Sequence, residues 1–270
     1  MKSERKTFEG TRAYLDCYIL ESSEEYSVKD RPGMLICPGG AYYMTSDREA
    51  EPIARYFMML GYHAFVLRYT VAEHGPVGGE YVPLLDASRA MAYIRSRAAE
   101  WNMYTDKIGV IGFSAGGHLA ASLGTMWQDE YVNRTLSLEY GANRPNAMIL
   151  AYPVISGGTF AHRGSFCNLL GEADNDPERI KFWSLENHVT PLCPPSFVWH
   201  TASDDCVPVV NSLCFCTALS ENNIPFELHV FPEGDHGLST ALREVRPVGE
   251  PLISRWLELC AVWLKGIFGV

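Results

Sequence analysis

Basic charge is scarce in this chain of 270 residues, which has 22 lysines and arginines against 32 aspartates and glutamates, a formal net charge of −10. An acidic surface repels phosphate groups and anionic headgroups, so nucleic-acid binding and membrane-surface roles are disfavoured. No apolar run reaches the roughly 18 residues that a membrane-spanning helix needs. The polar N-terminus (Met1–Lys6) continues without an apolar signal core, so we expect a cytoplasmic protein.

Cysteine is too sparse for a disulfide-based scaffold, with eight residues in the whole chain. Cys37, Cys214, Cys216 and Cys260 lie within apolar runs, where buried free thiols are expected. Cys206, Cys214 and Cys216 lack the paired spacing of zinc ligands, so we expect no metal site.

Low-complexity tracts, fixed-period repeats and long linkers are missing too, which indicates a single domain over residues 1–270. Short apolar runs alternate with amphipathic stretches, the pattern of a mostly parallel sheet with helices on both faces. Tyr14–Leu20 alternates and is predicted to be an antiparallel edge strand. The predicted buried strands are Met34–Cys37, Ala64–Leu67, Ile108–Gly112, Ala147–Ala151, Ser196–His200 and Phe226–Phe231.

Apolar residues three and four positions apart predict the helices between these strands. The predicted helices are Asp47–Leu60, Asp86–Trp101, Ala115–Trp127, Val209–Asn222 and a C-terminal helix containing Ile253–Leu264. The apolar stripe of that last helix, with Trp256 and Trp263, fits either the core or a homodimer interface. Residues 157–195 are too long for a tight connection and are predicted to form a small cap or lid.

A G-x-S-x-G pattern at Gly112, Ser114 and Gly116 stands between an apolar strand and a helix of small residues. Such a sharp strand-to-helix turn exposes the serine hydroxyl, and glycine is needed where side chains would clash. The pattern therefore predicts a nucleophilic serine. The alternative is a glycine-rich turn that carries a surface serine. A P-loop or a dinucleotide fingerprint does not fit this segment.

A serine nucleophile needs a base, and the base needs an orienting carboxylate. His236 lies in a glycine-flanked loop after the last predicted strand and is the predicted base. His118 in the helix after the serine and His229 within a strand are expected to be structural. Asp204 and Asp205 both follow a predicted strand and are the two candidates for the orienting carboxylate. Asp204 is favoured, because Asp205 lies one residue nearer the start of the next helix and could face solvent, but the choice between them stays open.

A Gly-Gly turn at Gly39 and Gly40 directly follows an early core strand. Such a turn directs backbone N–H groups toward the carbonyl oxygen of a bound ester, and the N–H of Ala115 would supply another donor. Three aromatic residues flank this centre and are candidates for the wall of an acyl or sugar pocket, with ordinary packing as the alternative: Tyr42, Tyr43 and Phe113.

Together these segments resemble the α/β-hydrolase superfamily, and within it the acetyl xylan esterase and feruloyl esterase-like enzymes related to hormone-sensitive lipase. The resemblance runs from about Arg31 to the C-terminus. It rests on Cys37–Tyr42, Gly112–Ala120, Asp204–Ser212 and Glu233–Gly237. It implies an α/β-hydrolase fold, with a mostly parallel central sheet, helices on both faces and a small cap insertion at about 157–195.

By position, the resemblance makes Ser114 the nucleophile, His236 the base and Asp204 the carboxylate that orients it. It places the backbone donors of an oxyanion hole at Gly40, Ala41 and Ala115. Ala41 stands where these enzymes usually have a third glycine and Pro38 where they often have a histidine, which makes bulky or tertiary alcohols poorer leaving groups.

The implied activity is that of a serine carboxylesterase which removes short acyl groups, acetyl above all, from small-molecule esters such as acetylated sugars. No metal or organic cofactor is implied. A small serine peptidase or amidase is disfavoured because the chain leaves no room for the propeller domain of such enzymes. A catalytically silent binding module would lack a triad residue, and a lipase would have an apolar lid where residues 157–195 are polar.

Overall fold

The computed structural model describes residues 1–246 and 248–270. Within them, eight strands form one sheet. The strands are β1 (Lys2–Thr7), β2 (Tyr14–Ile19), β3 (Arg31–Cys37), β4 (His63–Arg68), β5 (Met103–Phe113), β6 (Ala147–Ala151), β7 (Ser196–Thr201) and β8 (Phe226–Phe231). The helices are α1 (Glu51–Met59), α2 (Val82–Ser96), α3 (Ala98–Trp101), α4 (Ala115–Met126), α5 (Glu130–Leu136), α6 (Arg163–Leu170), α7 (Pro177–Phe182), α8 (Val210–Glu221) and α9 (Trp256–Phe268).

The order of the strands in the sheet is β1-β2-β4-β3-β5-β6-β7-β8. From β4 to β8 every neighbouring pair is parallel, whereas β1 and β2 are antiparallel to their neighbours. The carboxyl ends of the parallel strands share one edge, so the segments that follow β3, β5, β7 and β8 converge there. This edge is where the predicted site residues lie in the sequence.

Helices cover both faces of the sheet and divide the core into two halves. One half contains side chains of α2, α4 and α8, and the other contains side chains of α1 and α9. Trp256 of α9 is fully buried and stacks on Trp199 with 5.1 Å between ring centroids. Trp263 is partly buried against Phe197. The apolar stripe of the C-terminal helix is therefore core, and the predicted mostly parallel architecture is confirmed.

Several element predictions need correction. The predicted helix Asp86–Trp101 begins earlier, at Val82, and is divided at Arg97 into α2 and α3. Tyr14–Leu20 is antiparallel as predicted but lies second from the edge, because β1 pairs with its outer side. The predicted helix Asp47–Leu60 is divided into a 3₁₀ turn (Asp47–Glu49) and α1, since Ala50 has φ −108° and ψ −99°. These dihedral angles lie outside the helical range and break the hydrogen-bond ladder.

Residues 157–195 connect β6 to β7 and contain α6, α7 and a 3₁₀ turn (Leu185–His188). The segment is fastened at Gly157, whose N–H donates to Ser184 Oγ at 2.9 Å. Each of the eight cysteines is a free thiol. Among the residues that the structure describes, no helix is both long and apolar enough to cross a bilayer.

Candidate active site

Ser114 stands at the junction of β5 and α4 with a strained backbone, at φ 53° and ψ −121°. Such a positive φ is costly for a residue with a side chain and persists only where the surroundings hold it. Here the Ser114 N–H donates to the carbonyl of Ala151 at 3.0 Å, and its own carbonyl accepts from Val154 N–H and His118 N–H at 3.0 and 3.1 Å. The turn is thereby fixed from the neighbouring strand β6 and from α4.

The two glycines of the G-x-S-x-G pattern are required by close backbone contacts. A Cβ at Gly112 would lie 2.0 Å from the carbonyl oxygen of Gly116. A Cβ at Gly116 would lie 2.1 Å from the carbonyl oxygen of Cys37, at the end of β3. Both distances are far below van der Waals contact, so any side chain would force the turn apart. The glycines let the helix after Ser114 start directly against the loop that follows β3.

The structure brings Ser114, His236 and Asp204 together in one hydrogen-bonded chain. Ser114 Oγ–H donates to His236 Nε2 at 2.8 Å, and His236 Nδ1–H donates to Asp204 Oδ2 at 2.7 Å. His236 lies in the loop after β8, and its side chain is 17% exposed, whereas that of Asp204 is wholly buried. Asp205 is exposed. Of the two adjacent carboxylates, it is therefore Asp204 that contacts the imidazole.

The carboxylate of Asp204 is held on both oxygens. Its Oδ1 accepts the N–H groups of Cys206 and Val207 at 3.0 and 2.8 Å. Burial acts to raise its pKa, but hydrogen bonds from His200 and His236, the charge of His236 and the Val207 N–H together outweigh burial and hold the pKa of Asp204 well below its usual range. A carboxylate in this state keeps its charge when the imidazole beside it becomes protonated.

His200, at the end of β7, is a neighbour of Asp204 that sequence reasoning missed as a site residue. Its fully buried ring lies with Nε2 3.4 Å from Asp204 Oδ2. The same nitrogen donates to the carbonyl of Val207 at 2.9 Å, while Nδ1 accepts from Ser212 Oγ–H at 2.8 Å. The ring therefore braces the loop that carries Asp204 against β7 and α8.

Tyr152, directly after β6, was also missed and contacts the ring of His236. The two rings meet edge to face, with 5.0 Å between centroids and 72° between planes. The hydroxyl donates to Glu49 Oε1 at 2.7 Å and accepts the N–H of Ser239 at 2.8 Å. Burial, and then the charge of Glu49, raise the pKa of Tyr152 well above its ordinary value. Trp256 Nε1–H adds a bond to the Ser239 carbonyl at 2.9 Å, so the loop bearing His236 is held from two sides.

The loop after β3 lies directly against Ser114. A Cβ at Gly39 would come within 2.9 Å of the Cβ of Ser114. The next residues turn sharply, with φ 126° at Gly40 and φ 57° at Ala41. Within residues 1–246 and 248–270, the N–H groups of Gly40, Ala41 and Ala115 donate to no protein acceptor. Three free donors thus lie on segments that border Ser114, as an oxyanion hole requires.

Two of the three aromatic residues predicted to wall a pocket are turned inward. Tyr42 is 1% exposed and donates its hydroxyl hydrogen to His118 Nδ1 at 2.8 Å. Phe113 is fully buried in the core half beneath α1 and α9. Their burial contradicts the predicted role of both side chains as pocket walls. Tyr43 is 51% exposed and stays a candidate.

The structural roles predicted for His118 and His229 are confirmed. His118 donates from Nε2 to the carbonyl of Trp183 at 2.8 Å, and burial lowers its pKa to about 4. His229 is partly exposed on β8 and contacts Glu227, with 2.6 Å between Nε2 and Oε1. Neither histidine takes part in the hydrogen-bonded chain at Ser114.

The segment that leads from β6 into α6 is held next to the site by hydrogen bonds. At its start, the N–H of Val154 donates a hydrogen bond to the Ser114 carbonyl. At its end, Nδ2–H of Asn168 donates to the Ala41 carbonyl at 2.9 Å. Between these points, Asn211 accepts the N–H groups of Ile155 and Ser156 at 3.0 Å and donates to the Phe160 carbonyl at 2.9 Å. The segment is therefore tied to both the loop after β3 and α8.

Known proteins share this arrangement of elements. The BD-FAE family model matches residues 15–219. The acetyl ester-xyloside bifunctional hydrolase from Caldicellulosiruptor lactoaceticus is 39% identical and superposes with a TM-score of 0.80, covering 94% of this chain and 88% of that one.

Two curated relatives are similar in sequence. Endo-1,4-beta-xylanase B of Butyrivibrio fibrisolvens is 42% identical over 213 residues, which are 78% of this chain and 33% of that protein. Acetylxylan esterase of Xylanibacter ruminicola is 34% identical over 230 residues, 84% of this chain and 44% of that protein. The chain thus spans less than half the length of either relative. On the family match and the shared structure, the chain belongs to the BD-FAE family and has the α/β-hydrolase fold.

Proposed function

We propose that this protein hydrolyses short-chain acyl esters, above all acetyl esters of carbohydrates, with Ser114 as nucleophile, His236 as base and Asp204 as its orienting carboxylate. The observation that carries the proposal is the chain of two hydrogen bonds, 2.8 and 2.7 Å long, from Ser114 Oγ through the imidazole to Asp204. A serine hydroxyl is a weak nucleophile at neutral pH, and this arrangement removes its proton during attack.

In the first step, Ser114 Oγ attacks the ester carbonyl carbon while its proton passes to His236 Nε2. The tetrahedral oxyanion accepts hydrogen bonds from the N–H groups of Gly40, Ala41 and Ala115, which are free of protein acceptors in the described chain. The imidazolium then protonates the alcohol oxygen as the carbon–oxygen bond breaks. A water molecule repeats the sequence on the acyl-serine and releases the acid. The residues do this without a metal or organic cofactor.

The acetyl and carbohydrate parts of the proposal have separate support. Among the similar proteins, one is named an acetylxylan esterase and another an acetyl ester-xyloside hydrolase. The resemblance places a third glycine of the loop beside Ser114 at the position of Ala41, and an alanine there leaves less room for a bulky alcohol than a glycine would. Small acyl groups on primary or secondary alcohols, such as sugar hydroxyls, suit such a site.

The proposal is tested with p-nitrophenyl acetate and octanoate, and with acetate release from acetylated xylo-oligosaccharides. We expect kcat/KM at least about tenfold higher for the acetate than for the octanoate ester. Ser114→Ala is expected to lower kcat by about 10³-fold or more. Ser220→Ala, an exposed serine on α8, is the matched control and keeps wild-type activity.

A fluorophosphonate probe labels the wild type and Ser220→Ala but not Ser114→Ala if the nucleophile is assigned correctly. Undiminished turnover by Ser114→Ala would overturn the mechanism. Equal kcat/KM for acetylated xylo-oligosaccharides and for triacetin would remove the carbohydrate part of the proposal and leave the esterase.

A further inference from the structure

Glu49 is a buried carboxylate that the proposed mechanism does not use. It ends the 3₁₀ turn before α1 and is 2% exposed. Its Oε2 accepts the N–H of Gly39 at 2.8 Å, and its Oε1 accepts the hydroxyl of Tyr152 at 2.7 Å. Among the described residues, no cationic group pairs with it. A buried carboxylate without a cation is costly, so a stability role alone explains it poorly.

On one side, Glu49 fixes the loop that bears the proposed oxyanion donors. A Cβ at Gly39 would lie 2.7 Å from Glu49 Oε2 and 2.9 Å from the Cβ of Ser114. The Gly39 backbone is therefore clamped between this carboxylate and the nucleophile. Its N–H is occupied by Glu49, so the proposed oxyanion donors of this loop are the N–H groups of the next two residues, Gly40 and Ala41.

On the other side, Glu49 reaches His236 through Tyr152. The Tyr152 hydroxyl that donates to Glu49 also accepts the N–H of Ser239 at 2.8 Å, three residues after His236. The ring of the same tyrosine packs against the imidazole, with 5.0 Å between centroids. One carboxylate thus connects the loop after β3 with the loop after β8.

We infer that Glu49 is a positioning residue, which holds the proposed oxyanion donors and the imidazole of His236 in alignment around Ser114. It touches neither the substrate nor the reacting atoms. The inference rests on the proposed function. Alignment of this kind matters because displacement of a reacting group by about 1 Å can cost about 10²-fold in rate.

The test is Glu49→Gln, which keeps the shape of the side chain but offers only one carbonyl oxygen to two donors. We expect kcat for p-nitrophenyl acetate to fall about 10- to 100-fold, with KM within about threefold. Phenylboronic acid forms a tetrahedral anionic adduct with an active serine, so its affinity should fall in parallel with kcat. Fluorophosphonate titration counts competent sites, so kcat is expressed per site.

A merely structural role would lower the number of competent sites and leave both kcat per site and boronic-acid affinity unchanged; that result overturns the inference. Tyr152→Phe is the second variant, because it keeps the ring against His236 and removes only the hydroxyl. We expect the same direction of change in both quantities, and unchanged values in that variant also contradict the inference. Asp47→Asn, in the same turn but with a side chain 89% exposed, is the control and stays within about twofold of wild type.

The two proposals fail differently in these experiments. An unmodified protein that hydrolyses no ester refutes the proposed function. An active esterase that loses turnover in Ser114→Ala, but not in Glu49→Gln or Tyr152→Phe, refutes only the positioning role.

Discussion

Two histidines contact the carboxylate of Asp204, one from the loop after β8 and one from β7. His236 donates to Oδ2 at 2.7 Å, and Nε2 of His200 lies 3.4 Å from the same oxygen. Two backbone N–H groups occupy the other oxygen. Three hydrogen bonds and the adjacent ring of His200 thus hold this side chain, and its fixed position orients the imidazole of His236.

Asp204→Asn is predicted to lower kcat/KM about 10³- to 10⁴-fold, because an amide presents either an NH₂ group to the imidazole or a neutral acceptor that stabilises the imidazolium poorly. Asp205→Asn, which changes an exposed side chain, is expected to stay within about twofold. Both are measured with p-nitrophenyl acetate under the same conditions. A larger loss in the Asp205 variant would contradict the arrangement at His236.

The sequence identified those site residues that lie in a recognisable local motif. Ser114 has flanking glycines, and His236 stands in a glycine-flanked loop. Glu49, Tyr152 and His200 have no such signal, because their roles depend on burial and on partners from other elements. A glutamate directly after an exposed arginine, as at Glu49, looks like a surface charge until the fold buries it.

Side-chain direction was the other limit at this scale. Phe113 and Tyr42 lie next to predicted site residues in the sequence, yet both side chains are buried. Phe113 precedes Ser114 on β5 and points into the core half under α1 and α9. Proximity along the chain does not determine which face of the sheet a residue occupies.

Among the elements, the connection from β6 to α6 has one buried amide that bonds three of its backbone groups. Asn211, in the first turn of α8, is fully buried and accepts the N–H groups of Ile155 and Ser156. Its Nδ2 donates to the Phe160 carbonyl. The segment has little regular structure of its own there, so these bonds satisfy backbone groups that no helix or strand pairs.

Asn211→Leu is predicted to lower the free energy of unfolding by about 2–4 kcal/mol, because it leaves several buried backbone groups without partners. It should also make residues 155–162 more sensitive to limited proteolysis. Urea unfolding and mass mapping of the first cleavage site measure both effects. Asn187→Leu, at an exposed position, is the matched control and is expected within about 0.5 kcal/mol of wild type. Equal behaviour of the two variants would contradict the prediction.

Most strands that flank the site were predicted because a buried parallel strand is an uninterrupted apolar run. Phe226–Phe231 was also predicted to be a buried strand, but it is the edge strand β8, and five of its six side chains are partly or fully exposed. β1 was not predicted, since its six residues are polar and mostly exposed and, among the described residues, it pairs with one strand, β2. The helix Asp47–Leu60 was predicted as one piece because apolar periodicity continues through Ala50, where the backbone leaves the helical range. Whether residues 157–195 act as a lid stays a prediction.

For the whole molecule, two buried histidines link folding to pH. Burial is the main cause that lowers the pKa values of His63 and His118 from 6.5 to about 4. Between those values the unfolded chain binds protons that the folded protein does not, so stability is fully present above pH 6.5 and falls as the pH decreases toward 4. At pH 5 each histidine accounts for a loss of about 2 kcal/mol relative to pH 7.

We therefore predict that the difference in unfolding free energy between pH 7 and pH 5 shrinks by about 2 kcal/mol in His118→Gln, whatever the variant's stability at pH 7. Urea unfolding at the two pH values measures this difference. His74→Gln removes an exposed histidine and is expected to keep the wild-type difference. An unaltered difference in His118→Gln would show that the ring takes up protons equally in both states.

At this scale the sequence predicted the architecture well. Apolar strands that alternate with amphipathic helices can bury their apolar faces in few ways, and a parallel sheet covered by helices on both faces is the common one. The homodimer, the cytoplasmic location and the absence of a cofactor stay predictions. The sequence and structure of a single chain carry no feature that tests any of these three predictions.

The terminal helix α9 contributes to the site without touching it. Trp256 stacks on Trp199 and donates to the Ser239 carbonyl, three residues after His236. Truncation before Trp256 would spare every group that takes part in bond making and breaking, yet it would remove one of the two anchors of the loop that bears the base. Shortened or C-terminally fused versions should therefore be designed with Trp256 and the helix that carries it intact.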